Sequence, residues 1–146
     1  FCWIFCMLFG CYCLNVYFVI DYGSFFGGAC NVTINKEDAN TAKCEIKGFN
    51  GWSYNATFIF PLEEVDNLLY IYDEIGNWKD EYKDVRGILD GYGWTIELRI
   101  KDCIRKHGYE KFPNNYNAVM NKIKATIEEL RDRYVEETEK KLVPLM

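Results

Sequence analysis

His107 is the single histidine in 146 residues. It stands between Lys106 and Gly108 in a stretch that predicts a strand. One imidazole cannot build a His-rich zinc site, and no nucleophile motif accompanies it. The expectation is an exposed strand or turn histidine. Carboxylates offer a second route to chemistry. Asp90-Gly91 precedes a predicted strand, and Asp73, Glu74, Asp80, Glu81 and Asp84 lie just upstream. A general acid–base pair needs two carboxyl groups in a cleft with their pKa values pushed apart. The acidic run lacks the alternating oxygen-ligand pattern of a calcium loop, and Asp-Gly is by default a turn signal. A solvated acidic loop is therefore expected, with a hydrolase built around Asp90 as the lesser alternative.

The chain has seven cysteines. Cys2, Cys6, Cys11 and Cys13 crowd the opening run, while Cys30, Cys44 and Cys103 are scattered. The count is odd and the spacings fit neither a disulfide framework nor a zinc site. Buried thiols or a reducing compartment account for them most simply. The Gly-rich stretches "YGSFFGG" and "GFNGWSYN" do not lead from a strand into a helix, as phosphate binding requires. No catalytic, cofactor or metal site is assigned. A net charge of −5 argues against a nucleic-acid partner. Aromatic residues reach 17%. Trp52, Trp78, Trp94, Tyr92 and Tyr109 fall near turns or element ends. There they either fill a core or bind a peptide, a glycan or another protein.

The elements that must position these groups follow from periodicity. "LNVYFVIDY" over 14–22 is rich in strand formers, and "ACNVTI" and "KCEIKGF" alternate apolar with polar. Asn50-Gly51 suits a type I′ turn and predicts a hairpin over 43–60. Pro61 opens a helix whose expected apolar face is Val65, Leu68, Leu69, Tyr72 and Ile75. Residues 76–93 read as a long loop, and "WTIELRIK" and "CIRKH" as two more strands. Asn114 or Asn115 is the candidate N-cap of a last amphipathic helix with Tyr116, Val119, Met120, Ile123, Ile127, Leu130 and Tyr134 on its inner face. The expected fold is α+β: an antiparallel sheet of about six strands, in the order β-β-β-β-α-β-β-α, with two helices packed on one face. Residues 14–146 form its single domain, and 1–13 stand apart as an apolar N-terminal segment.

Three stretches carry a resemblance: "DYGSFFGG", "ILDGYGWTIELRIK" and "GYEKFPNNYNAV". They resemble a group of bacterial proteins, met often in Firmicutes and frequently behind export or lipoprotein signals. That group shows a Tyr-Gly-rich loop, a Leu-Asp-Gly-x-x-Trp run entering a strand, and a Gly-x-x-x-aromatic-Pro-x-Asn-aromatic run entering the last helix. The second pattern falls here on Leu89, Asp90, Gly91 and Trp94, and the third on Gly108, Phe112, Pro113, Asn115 and Tyr116. Glu110-Lys111 stands where the group often has Asn-Ala before the aromatic-Pro. The resemblance spans roughly 14–140 and implies the architecture above. It carries no established activity with it.

Residues 1–20 hold no charge. Three readings of this run stand open. "LFGC" resembles a lipoprotein cleavage box with Cys11 as the lipidated residue. The full run reaches membrane-spanning length. Alternatively, 1–13 is apolar sequence extraneous to the domain. The functional expectation is a non-enzymatic binding or accessory module at the bacterial cell surface or membrane, with a protein or glycan ligand. A soluble intracellular regulatory protein is the alternative.

Overall fold

The structure, a computed structural model, describes residues 16–24, 28–49, 55–83 and 91–142. It is a two-layer α+β domain with a seven-stranded sheet, ordered β4-β3-β2-β1-β6-β7-β5. The strands are β1 (Val16–Ser24), β2 (Gly28–Lys36), β3 (Thr41–Phe49), β4 (Asn55–Pro61), β5 (Glu81–Lys83), β6 (Gly93–Leu98) and β7 (Ile104–Tyr109). A 3₁₀ helix (Leu62–Leu68) runs into α1 (Tyr70–Ile75), and α2 (Tyr116–Leu142) closes the chain.

Period-two alternation sorts the sheet into two faces. Phe18, Ile20 and Tyr22 of β1 align with Ile34, Val32 and Cys30 of β2 on the inner face, and all are buried. The row continues through Cys44 and Ile46 to Phe58 and Ala56 on one side, and through Leu98, Ile96 and Trp94 on the other. The outer face carries Asp21, Asn31, Thr33, Lys47, Thr95 and His107 and is open. The helices cover the inner face alone, as expected for a sheet with one wet side.

The expected antiparallel sheet of about six strands requires correction. The sheet is mixed and has seven strands, because Glu81–Lys83, inside the stretch read as a loop, pairs parallel to β7. Three residues are too few to show a period. Their placement depends instead on Lys106, a buried lysine whose Nζ donates to the Trp78 carbonyl and to Asp80 Oδ1, both at 2.8 Å. The His107 amide completes the attachment by donating to the Asp80 carbonyl at 3.1 Å.

The first helical segment also differs. Its buried residues are Val65, Leu68, Ile71 and Ile75, without Leu69 or Tyr72. The 3₁₀ turn advances the buried face by three residues before the α-helical step of four takes over. Tyr72 instead extends to the β6–β7 turn, donating to the Asp102 carbonyl at 2.7 Å and accepting the Lys101 N–H at 2.9 Å. The inner face of α2 is as expected: Tyr116, Val119, Met120, Ile123, Ile127 and Leu130 are buried, and Tyr134 packs on Phe60. The β3–β4 pairing is the expected hairpin, whose Asn50-Gly51 turn lies outside the described residues.

β1 claims the end of the uncharged opening run: Phe18 and Ile20 are core residues, at 0% and 1% exposure. Cys11 and the rest of 1–15 lie outside the described residues. Among those described, no helix is long and apolar enough to cross a membrane.

Candidate functional site

The sequence motifs converge on one corner, where β6, β7 and the start of α2 meet. Trp94 donates its indole N–H to the Lys111 carbonyl at 3.0 Å. Phe112 packs against Tyr92, Trp94 and Tyr116, with ring centroids 5.6, 6.5 and 4.8 Å away. Asn115 accepts the Trp78 indole N–H at 2.9 Å, so its side chain ties down Trp78. The Pro113 carbonyl accepts the Tyr116 N–H at 3.1 Å. Gly91 donates to the Tyr109 hydroxyl at 2.7 Å, and a Cβ there would overlap the Tyr109 ring and the Glu110 side chain. Gly108 leaves room for the Trp94 indole. Asp90 lies outside the described residues.

The described motif residues pack into this corner. Part of the aromatic content goes into this cluster: Trp78 and Trp94 are buried, and Tyr92 is partly so. Phe112 is the one large hydrophobic exposed among the described residues. Trp52 lies outside them. Glu110, the departure from the resembled motif, has a φ of +56°, a conformation that Asn or Gly adopts more readily. Its carboxylate accepts the Tyr92 N–H.

The expected acidic cluster is dispersed. Glu74 pairs with Lys122 at 2.6 Å, Asp80 with Lys106, and Glu81 lies 3.8 Å from His107 Nε2. Lys106 holds the Asp80 carboxyl below the usual carboxylate range, by hydrogen bond and by charge. Among the described residues no three His, Cys, Asp or Glu side chains gather as metal ligands. His107 is half-buried on the open face, beside a trough of about 400 Å³ floored by Gly23 and Gly93 and flanked by Asp21 and Thr95. Burial raises the Asp21 carboxyl.

Another concavity lies on the opposite, inner face. It is a groove of about 340 Å³ between α2 and the ends of β1, β2 and β3. Ile20, Val32 and Ile46 form its floor, in register across three adjacent strands. Ile127 supplies the helix wall. Lys124, Glu128 and Arg131, one ridge of α2, stand along its rim. At one end the Tyr22 hydroxyl is hydrogen-bonded to the Cys30 thiol, and the Lys124 ammonium sits 4.5 Å over the Tyr22 ring. Desolvation pushes both the Tyr22 hydroxyl and the Cys30 thiol up, so both are protonated at neutral pH.

The groove has a geometric origin. Seven strands at ~4.8 Å spacing make a sheet about 29 Å across, while a helix with its side chains is ~10–12 Å wide. Among the described residues, one long helix running from Trp94 to Phe60, with α1 beside it, leaves a groove between helix and sheet over β1–β3, whose floor side chains are themselves buried. Reading the strands one at a time does not show this gap. It follows from the strand count and the diagonal path of α2.

No family model matches the chain, and no curated protein or solved structure matches it.

Proposed function

We propose that this protein is a binding module whose ligand, a small apolar or amphipathic molecule, occupies the groove under α2. The observation that supports this is the lining: branched aliphatic side chains from three strands and one helix, with charged groups confined to the rim. A concave, mainly apolar site with a few polar groups at its edge binds by burying hydrocarbon, at roughly 25 cal/mol per Å². The groove's own titratable groups favour binding over catalysis. Cys30 is held as a thiol, and the thiolate is the nucleophilic form. Tyr22 is likewise held as a phenol.

The motif corner supports this reading as scaffold. It fixes the start of α2 against β6 and β7, and so fixes the helix that forms the groove's wall. The kinship with the bacterial group that the motifs resemble belongs to the same proposal, as does a place at the cell surface or membrane, which rests on residues 1–13.

A neutral fluorescent naphthylamine probe titrated into the intact chain tests the proposal. It should bind with enhanced emission, and Val32→Phe or Ile46→Phe, each filling the floor, should abolish the enhancement while circular dichroism stays unchanged. Undiminished probe binding in both filled variants would overturn it.

A further inference from the structure

Residues 76–83 run from the end of α1 into β5 and lie as a strap against the aromatic corner. We infer that this strap is a charge-gated latch: it stays closed over Trp94 while Asp80 is ionised, and it opens as a unit, with the rest of the fold intact, when Asp80 is neutralised. The device is independent of the groove under α2.

The pair that holds the strap is asymmetric. The Lys106 side chain is 7% exposed and that of Asp80 is 87% exposed. The Lys106 ammonium donates to the Asp80 carboxylate and to the Trp78 carbonyl, both at 2.8 Å. Among the described residues no other carboxylate pairs with it. Asp80 keeps its charge in water with or without the lysine, whereas Lys106 is buried with a single counterion. Taking that counterion away strands a buried cation, which is costly. Taking the lysine away strands nothing, because the carboxylate stays hydrated.

The strap is also the part of the fold able to yield. β5 is an edge strand of three residues, paired on one side. Within 76–83 Trp78 is buried, Tyr82 is half-buried and the other residues are exposed. The Lys79 N–H donates to the Tyr82 hydroxyl at 3.0 Å, a bond inside the strap that movement of the whole strap preserves. Bonds to the rest of the fold run from Lys106, from the His107 amide to the Asp80 carbonyl, and from the Trp78 indole to Asn115. A segment with so little buried area opens locally before the chain unfolds. Opening rehydrates the Lys106 ammonium and lifts Trp78 and Tyr82, now 5.7 and 5.9 Å from the Trp94 ring, away from it.

Acid is the natural release. Asp80 faces Lys106 and His107 of β7, and Lys79 and Glu81 flank it within the strap, Glu81 lying 3.8 Å from His107 Nε2. The hydrogen bond and charge of Lys106, with a smaller effect of His107, hold the Asp80 carboxyl below its ordinary value. The latch is therefore fully shut above the ordinary value of about 3.9 and opens as pH falls through the lower folded value.

The test is amide exchange of the intact chain by NMR at about pH 6, in the parent, Asp80→Asn, Lys106→Met and the double variant. Asp80→Asn should speed exchange of the His107 amide by about tenfold or more and leave that of Val32, in the centre of the sheet, at the parent rate. Lys106→Met, alone or added to Asp80→Asn, should keep the His107 amide near the parent rate, since no buried cation is left to strand. An Asp80→Asn variant with parent-like exchange, or one whose Val32 amide is sped equally, would overturn the latch. So would a double variant that exchanges as fast as Asp80→Asn alone. The parent itself supplies a check free of substitutions. On acidification its Trp78 indole N–H signal should shift with the Asp80 carboxyl while the Ile20 methyl signals stay in place. An indole that moves only when the whole chain unfolds would contradict the latch.

Discussion

Trp94 and Gly108 are opposite partners in the β6–β7 pair, and the Trp94 indole fills the space that a side chain at position 108 would need. The indole then reaches the Lys111 carbonyl and supports Tyr116 at the start of α2, at a ring distance of 5.1 Å. The absence of one Cβ therefore sets where the long helix begins.

Gly108→Ala should destabilise the fold by about 1–3 kcal/mol, the usual cost of overpacking a core. Urea unfolding followed by Trp fluorescence measures this. A variant as stable as the parent would show that the indole can move aside freely.

This corner explains how much was legible in the sequence. Gly108, Phe112, Pro113 and Asn115 each have a steric or hydrogen-bonding duty at a fixed position. The inner face of α2 was legible because the 3.6-residue period persists from Tyr116 to Leu130. β5 was not, since its place depends on Lys106, whose burial follows from pairing 26 residues away in the chain. The shift from Leu69 to Ile71 in the first helical segment was hidden because a 3₁₀ turn and an α-helical turn read alike in composition. The groove was hidden for a third reason. Each of its strands reads as ordinary core, and the groove arises only from their assembly under a single long helix.

Lys106 and Asp80 should make stability depend on pH in acid. The Asp80 carboxyl is held below its ordinary value in the folded protein. Its contribution is therefore complete above the unfolded value of about 3.9 and is lost as pH falls through the lower folded value. Melting temperatures of the parent and Asp80→Asn should differ near neutrality and converge in strong acid. Parallel curves throughout would contradict the pairing.

Tyr116→Phe should raise the stability of the unliganded protein by about 1 kcal/mol, because it removes a buried hydroxyl that bonds to nothing. Chemical denaturation without added ligand is the measurement. A loss of stability would mean that the hydroxyl is satisfied in solution.

The three cysteines of the described core should differ in reactivity. Cys103 is exposed, Cys30 and Cys44 are buried, and the Cys44 thiol is pushed up to about 12 by desolvation. Alkylation at mildly alkaline pH, mapped by peptide mass spectrometry, should label Cys103 first and leave Cys44 intact until unfolding. Equal labelling of Cys44 and Cys103 in the native protein would contradict the burial described for Cys44.

The central claim is that the groove between α2 and β1–β3 is a ligand site. Methyl-resolved NMR of the isotope-labelled chain, titrated with the neutral naphthylamine probe, tests it most directly. The methyl groups of Ile20, Val32, Ile46 and Ile127 should shift together and saturably, while those of Val19 and Ile59, which alternate to the other side of the sheet, stay in place. Shifts confined to the outer face, or no saturable shift in any of the four groove residues, would contradict the account.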